Sequence, residues 1–156
     1  MSVSTIDGTL ETANLKRRTR IHSVYDSIVI RRDDGGEERL AKAVVGNRIA
    51  DALRPGTHGR FYLYKSIDYK GVHGIRAAGD VAVQDYPANN ERLMLMVLVM
   101  SIIMVVGRVI LQDVVWLLPL GLIVLAAITY PLYRKTRIEA RQQFDRDSAY
   151  TAPAAA

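Results

Sequence analysis

Hydrophobic and polar positions follow three different patterns along this 156-residue chain. Between residues 9 and 86, short apolar runs are broken by Gly, Asp and Arg, with little of the helical repeat. Between 93 and 133 almost every position is apolar, and between 134 and 147 charges dominate, with Ile138 and Phe144 as the main apolar residues. A soluble core does not gather its hydrophobicity into one such block, because each core element needs a polar face toward water.

The first region predicts strands over 9–16, 20–32, 38–45, 59–67 and 75–86. Asp33-Asp34-Gly35-Gly36 is a hairpin-turn signal, and Arg54-Pro55-Gly56 closes a short element. Residues 47–53, NRIADAL, place Ile49, Ala50 and Leu53 on one face, enough for two helical turns. Five strands with a short helix between the third and fourth is the order of an OB-like barrel. An SH3-like barrel and an open sheet are the alternatives. The expected fold class is therefore an α+β membrane protein, with a small N-terminal β barrel over 1–88, a linker at 89–92 and a two-helix transmembrane hairpin over 93–133.

The hairpin follows from length. The apolar block has 41 residues, and as one helix it would extend roughly 60 Å, about twice the ~30 Å of a bilayer core. Two spans fit, over 93–111 and 114–133. This places Arg108 in the last turn of the first span, where its stem can lie along the helix and its guanidinium reach the headgroups. Asp113 suits the N-cap of the second span and can pair with Arg108 at the turn. The sharper alternative has Arg108 facing a partner's acidic residue or an ion path. Met96, Met100 and Met104 share one face. Gly121, Ala126, Ala127 and Thr129 give small positions for close helix approach. Pro119 falls where a lost N–H bond costs little, whereas Pro131 is expected to loosen the far end. Trp116, Tyr130 and Tyr133 read as interfacial anchors.

Charge sets the expected topology. Arg134, Lys135, Arg137 and Arg141 follow the second span, so the positive-inside rule puts the C-terminal side in the cytoplasm. Two spans and no apolar leader then put the N-terminal side there as well, as in a bacterial inner-membrane protein. The same basic residues would meet anionic lipid, or their helix could dock on the β domain or on a partner. Residues 148–156 are too poor in packing residues to be expected to hold a fixed structure. Much of the net charge of +5 sits at two places, Lys16 to Arg20 and Arg134 to Arg146.

The chemical inventory is thin. The chain has no Cys and three histidines, His22, His58 and His73, without metal-ligand spacing; His58 and His73 read as exposed turn residues. No nucleophile elbow, phosphate loop or dinucleotide fingerprint occurs, so neither an enzyme nor a cofactor is expected. One surface stands out. If Phe61 and Leu63 face the core, Tyr62 and Tyr64 are exposed beside Arg60 and Lys65. That surface suits protein contact first, plain solvation second and nucleic acid third. The expected function is a non-enzymatic accessory or scaffold subunit that presents its β domain to a membrane-protein partner or a homo-oligomer. The alternatives are an oligomeric pore with Arg108 in its path and a membrane-tethered nucleic-acid binder.

Overall fold

The computed structural model describes residues 2–78, 81–87, 89–112 and 117–152. The chain divides into two compact units, one of Met1–Pro87 with Thr136–Ala156 and one of Ala88–Lys135.

The first unit is built on β1 (Ser2–Arg18), β2 (His22–Arg32), β3 (Glu37–Gly46), α1 (Asn47–Ala52), β4 (His58–Lys65), β5 (Lys70–Ala77) and β6 (Val81–Gln84). The sheet runs β3-β2-β1-β4-β5-β6, and a parallel pairing of β3 with β5 at Ala43 and Lys70 closes five of these strands into a barrel. Closure excludes the open sheet. The order, with a helix between β3 and β4, fits an OB-like barrel. The expected strand over 75–86 is instead the end of β5 and all of β6, which form a hairpin joined outside the cylinder. The first strand also begins well before residue 9.

Strand β1 makes closure possible because it serves two neighbours. Its first half pairs with β4 and its second half with β2, and Gly8 belongs to both ladders, opposite Gly59 and Arg32. A Cβ at Gly8 would overlap the carbonyl oxygen of Arg31, so only glycine allows this approach. Register shifts beyond Leu10 bend the second half, as bulges do in small barrels. At the seam, a Cβ at Gly71 would overlap the carbonyl oxygen of Val44. The β2–β3 turn forms at the expected Asp-Asp-Gly-Gly, with Gly35 at φ 85° and the Gly36 N–H donating to Asp34 Oδ1 at 2.9 Å.

Alternation along the strands fills the interior. Leu10, Ile28, Ile30, Ala43, Val45, Phe61, Val72 and Ile75 are fully buried, and Ile49 of α1 joins them. Each large aliphatic or aromatic side chain removed from water in this way contributes about 1.5–3 kcal/mol.

The second unit holds α2 (Asn89–Gln112) and the first part of α3 (Leu117–Arg146). Both helices are long and apolar enough to cross a membrane. At ~1.5 Å per residue they extend about 36 and 45 Å. Helix α3 does not loosen at Pro131; it runs through the proline and takes in the basic residues as one element. Ser101 and Ala126 are buried, while Gly121 has open space where a Cβ would stand. Met96, Met100 and Met104 are exposed. Asp113 and Trp116, which the sequence places at the turn and its interface, lie outside the described residues.

Gly71→Ala is expected to cost about 1–3 kcal/mol by overpacking and to speed amide hydrogen exchange first in β3 and β5. Unchanged exchange there would show that closure does not depend on this approach.

Candidate functional site

Strand alternation sends Phe61 and Leu63 into the barrel, so Tyr62 and Tyr64 point outward, as the sequence suggests. The expectation that they are exposed is wrong. Tyr62 is 0% and Tyr64 2% accessible. Their cover is the chain's own C-terminal segment together with Tyr86. On α3, Thr136, Ala140 and Phe144 are buried and Gln143 is partly buried, as is Asp147 just past the helix end. These positions recur every three or four residues and so form one helical face.

Phe144 is the anchor. Its ring meets Tyr62 edge-on at 5.0 Å, the favoured arrangement for two aromatic quadrupoles. It sits over Gly74, where a Cβ would come within 2.6 Å of the ring. The Arg76 guanidinium lies 4.3 Å from the ring centre and donates to the Phe144 carbonyl at 3.2 Å. Tyr64 is held by the Tyr86 ring at 4.9 Å, and its hydroxyl donates to the Val44 carbonyl at 2.8 Å.

A charge network borders the aromatic cluster. Arg60 donates from Nε to Asp7 Oδ1 and from a terminal nitrogen to Asp7 Oδ2, both at 2.7 Å. Its other terminal nitrogen reaches Asp147 Oδ2 at 3.2 Å, and the Tyr62 hydroxyl donates to the same oxygen at 3.0 Å. The guanidinium also lies 4.0 Å above the Tyr150 ring, a cation–π contact. The hydrogen bonds from Arg60 hold the Asp7 carboxyl below its ordinary value, against the effect of burial. Burial, then the Asp147 contact, pushes Tyr62 up to about 12. The contribution of Asp7 is therefore present above its ordinary value of 3.8 and is lost as pH falls through the depressed one.

His73 is not the exposed turn residue the sequence suggests. It lies on β5, fully buried, and its ring nitrogens have no closely aligned hydrogen-bond partner. The rings of Tyr62, Tyr64 and Tyr86 surround it at 6.0, 6.3 and 6.3 Å. The Gln143 side chain is the polar group facing it. Burial lowers its pKa to about 4, so the ring is neutral at pH 7. His58 is also no turn residue: it begins β4, partly buried, with Nδ1 3.1 Å from Thr9 Oγ1. His22 begins β2. Among the described residues, no group of three or more His, Asp or Glu could hold a metal ion.

No family model, curated protein or solved structure matches this chain.

Of the residues picked out in the sequence, Arg60 and Tyr62 come together at the docked helix end, Tyr64 belongs to the same cluster, and Lys65 is exposed at the end of β4. Arg108 is partly buried near the end of α2. Arg134, Lys135, Arg137 and Arg141 are exposed along α3. Sequence reasoning missed Asp7, His73, Arg76, Gln143 and Asp147 as members of the cluster. The available signal was the spacing of Thr136, Ala140 and Phe144. What the arrangement does is bind a helix end through an aromatic anchor and a carboxylate. Of the roles the sequence offers this segment, the structure shows its docking on the β domain.

Phe144→Ala should cost about 3–5 kcal/mol, the usual range for truncating a buried Phe, and should raise hydrogen exchange across 137–150 and β4. Asp147→Asn should have a smaller effect in the same place, since the Tyr62 and Arg60 contacts can persist in weakened form. Exchange that is unaltered in the Phe144 variant would deny it the anchoring role.

Proposed function

We propose that this protein is a non-enzymatic integral membrane subunit that presents a small OB-like barrel to a partner membrane protein or to further copies of itself. The observation that carries the reading is the apolar surface of α2 and α3. Met96, Ile103, Ile110, Leu117, Leu118, Val124 and Ile128 are each more than half exposed. Apolar exposure of this extent is foreign to soluble monomers and suits helices solvated by acyl chains. Arg108, near the end of α2, is then placed to reach headgroups. The exposed Arg134, Lys135, Arg137 and Arg141 support a cytoplasmic location for the barrel and both termini, in an inner membrane of bacterial type.

Two measurements test this. In membrane fractionation the protein should stay with the bilayer through alkaline carbonate washing. In mild detergent it should co-purify with a larger membrane protein or as an oligomer. Recovery as a soluble monomer would overturn the reading, as would measurable turnover by purified monomer. Because the chain has no Cys, topology can be read from a single introduced thiol. Ser148→Cys should react with an impermeant maleimide in inside-out vesicles and resist it in intact cells.

A further inference from the structure

We infer that His73 makes the docking of the C-terminal segment onto the barrel a pH-sensitive latch, closed when the imidazole is neutral and released when it takes up a proton. The inference concerns only the barrel's own compact unit and does not depend on the membrane assignment.

The geometry supports it from every side. Beneath and beside the ring, β4 contributes Tyr62 and Tyr64, whose phenols are held neutral well above physiological pH by burial. The segment after β6 contributes Tyr86. From α3 come the Gln143 amide, whose oxygen stands where it can accept from the imidazole, and Phe144 over the adjoining Gly74. The charged groups of the cluster, Arg60, Arg76, Asp7 and Asp147, are engaged at its rim with one another, with Tyr62 or with Phe144. Asp147 is committed to Arg60 and the Tyr62 hydroxyl. Asp85, whose N–H donates to the His73 carbonyl at 3.0 Å, has its carboxylate at the Arg48 N–H. Among the described residues no carboxylate acts on the imidazole, so a cation on His73 would be buried among rings, and such burial is strongly unfavourable. The Gln143 oxygen could accept one hydrogen bond, which offsets only part of that cost.

Lifting the end of α3 uncovers the ring and restores water to it. The open form then takes up the proton near the ordinary value of 6.5, while the closed form resists it down to about 4. The sign follows: a lowered histidine value means the closed form is favoured above pH 6.5 and loses ground as pH falls toward 4. At pH 5 the closed-to-open ratio should be about 30-fold smaller than at pH 7.5, from the linkage of these two values. Opening would bare Tyr62, Arg76 and His73 on β4 and β5, a face that has already shown it can hold an aromatic side chain and a carboxylate.

The test is hydrogen exchange on the full chain in detergent at pH 7.5 and pH 5, corrected for intrinsic exchange. Protection across 137–150 should fall about 30-fold at pH 5, as the same linkage gives, while the barrel core around Ile28, Val45 and Phe61 keeps its protection. His73→Phe, which cannot be protonated, should remove the pH dependence. Gln143→Glu places a carboxylate against the ring, and protection should then hold or rise toward pH 5; this second variant leaves the packing of β5 untouched should the first not fold. Equal protection at the two pH values in the wild type would overturn the latch. So would simultaneous loss across the whole barrel, or an undiminished fall in Gln143→Glu.

Discussion

Strand β4 is buried on both faces, and the organisation of the larger unit depends on that. Phe61 and Leu63 belong to the barrel interior, and Tyr62 and Tyr64 to a second apolar cluster on the outside. A barrel of about 80 residues buries a limited core for its surface, so a second layer of contacts is a substantial gain. The cost is that neighbouring sequence completes only part of the outer layer. Tyr69 and Tyr86 cover the Tyr64 end, and the cover over Tyr62 comes from beyond two long apolar helices.

The polar rim explains why that distant segment docks in one register. Arg60 gathers Asp7 from the first strand, Asp147 from just past the last helix and the Tyr150 ring from the segment after it. Partly exposed ion pairs of this kind add little net stability. Their directional hydrogen bonds do restrict how α3 can lie, because a one-turn slip of about 5 Å would take Asp147 from Arg60 and Tyr62 and the Phe144 carbonyl from Arg76. Phe144 supplies the attraction, and Arg60 and Arg76 fix the position.

How much was legible in the sequence varies with the kind of signal. The Asp-Asp-Gly-Gly turn, the NRIADAL helix and most strand positions were readable because turn chemistry and apolar runs are local. Barrel closure was only inferable from element order, since it rests on one pairing between Ala43 and Lys70 and on glycines whose necessity appears only in three dimensions. The division of β4 into inward Phe61 and Leu63 and outward Tyr62 and Tyr64 was correct. The inference from outward to exposed was not, because alternation reports which side a residue takes and nothing about what lies there. The glycines around His73 pointed to a turn, but Gly71 and Gly74 are strand residues that allow a carbonyl and an aromatic ring to come close. In the charged segment, Ile138 and Phe144 looked equivalent by composition, yet only Phe144 lies on the buried stripe.

The cover over Tyr62, His73 and Gly74 also has a place in time. A ribosome delivers β4 and β5 some seventy residues before Phe144, so the barrel can close its interior while its outer aromatic face is still wet. Throughout that interval, which includes the synthesis of α2 and most of α3, the nascent chain lacks the cover that Phe144 and Asp147 give Tyr62 and Gly74. The finished and unfinished proteins thus differ in surface as well as in length. Any factor that grips the uncovered face would recognise immaturity, and completion of the last helical turns would dismiss it.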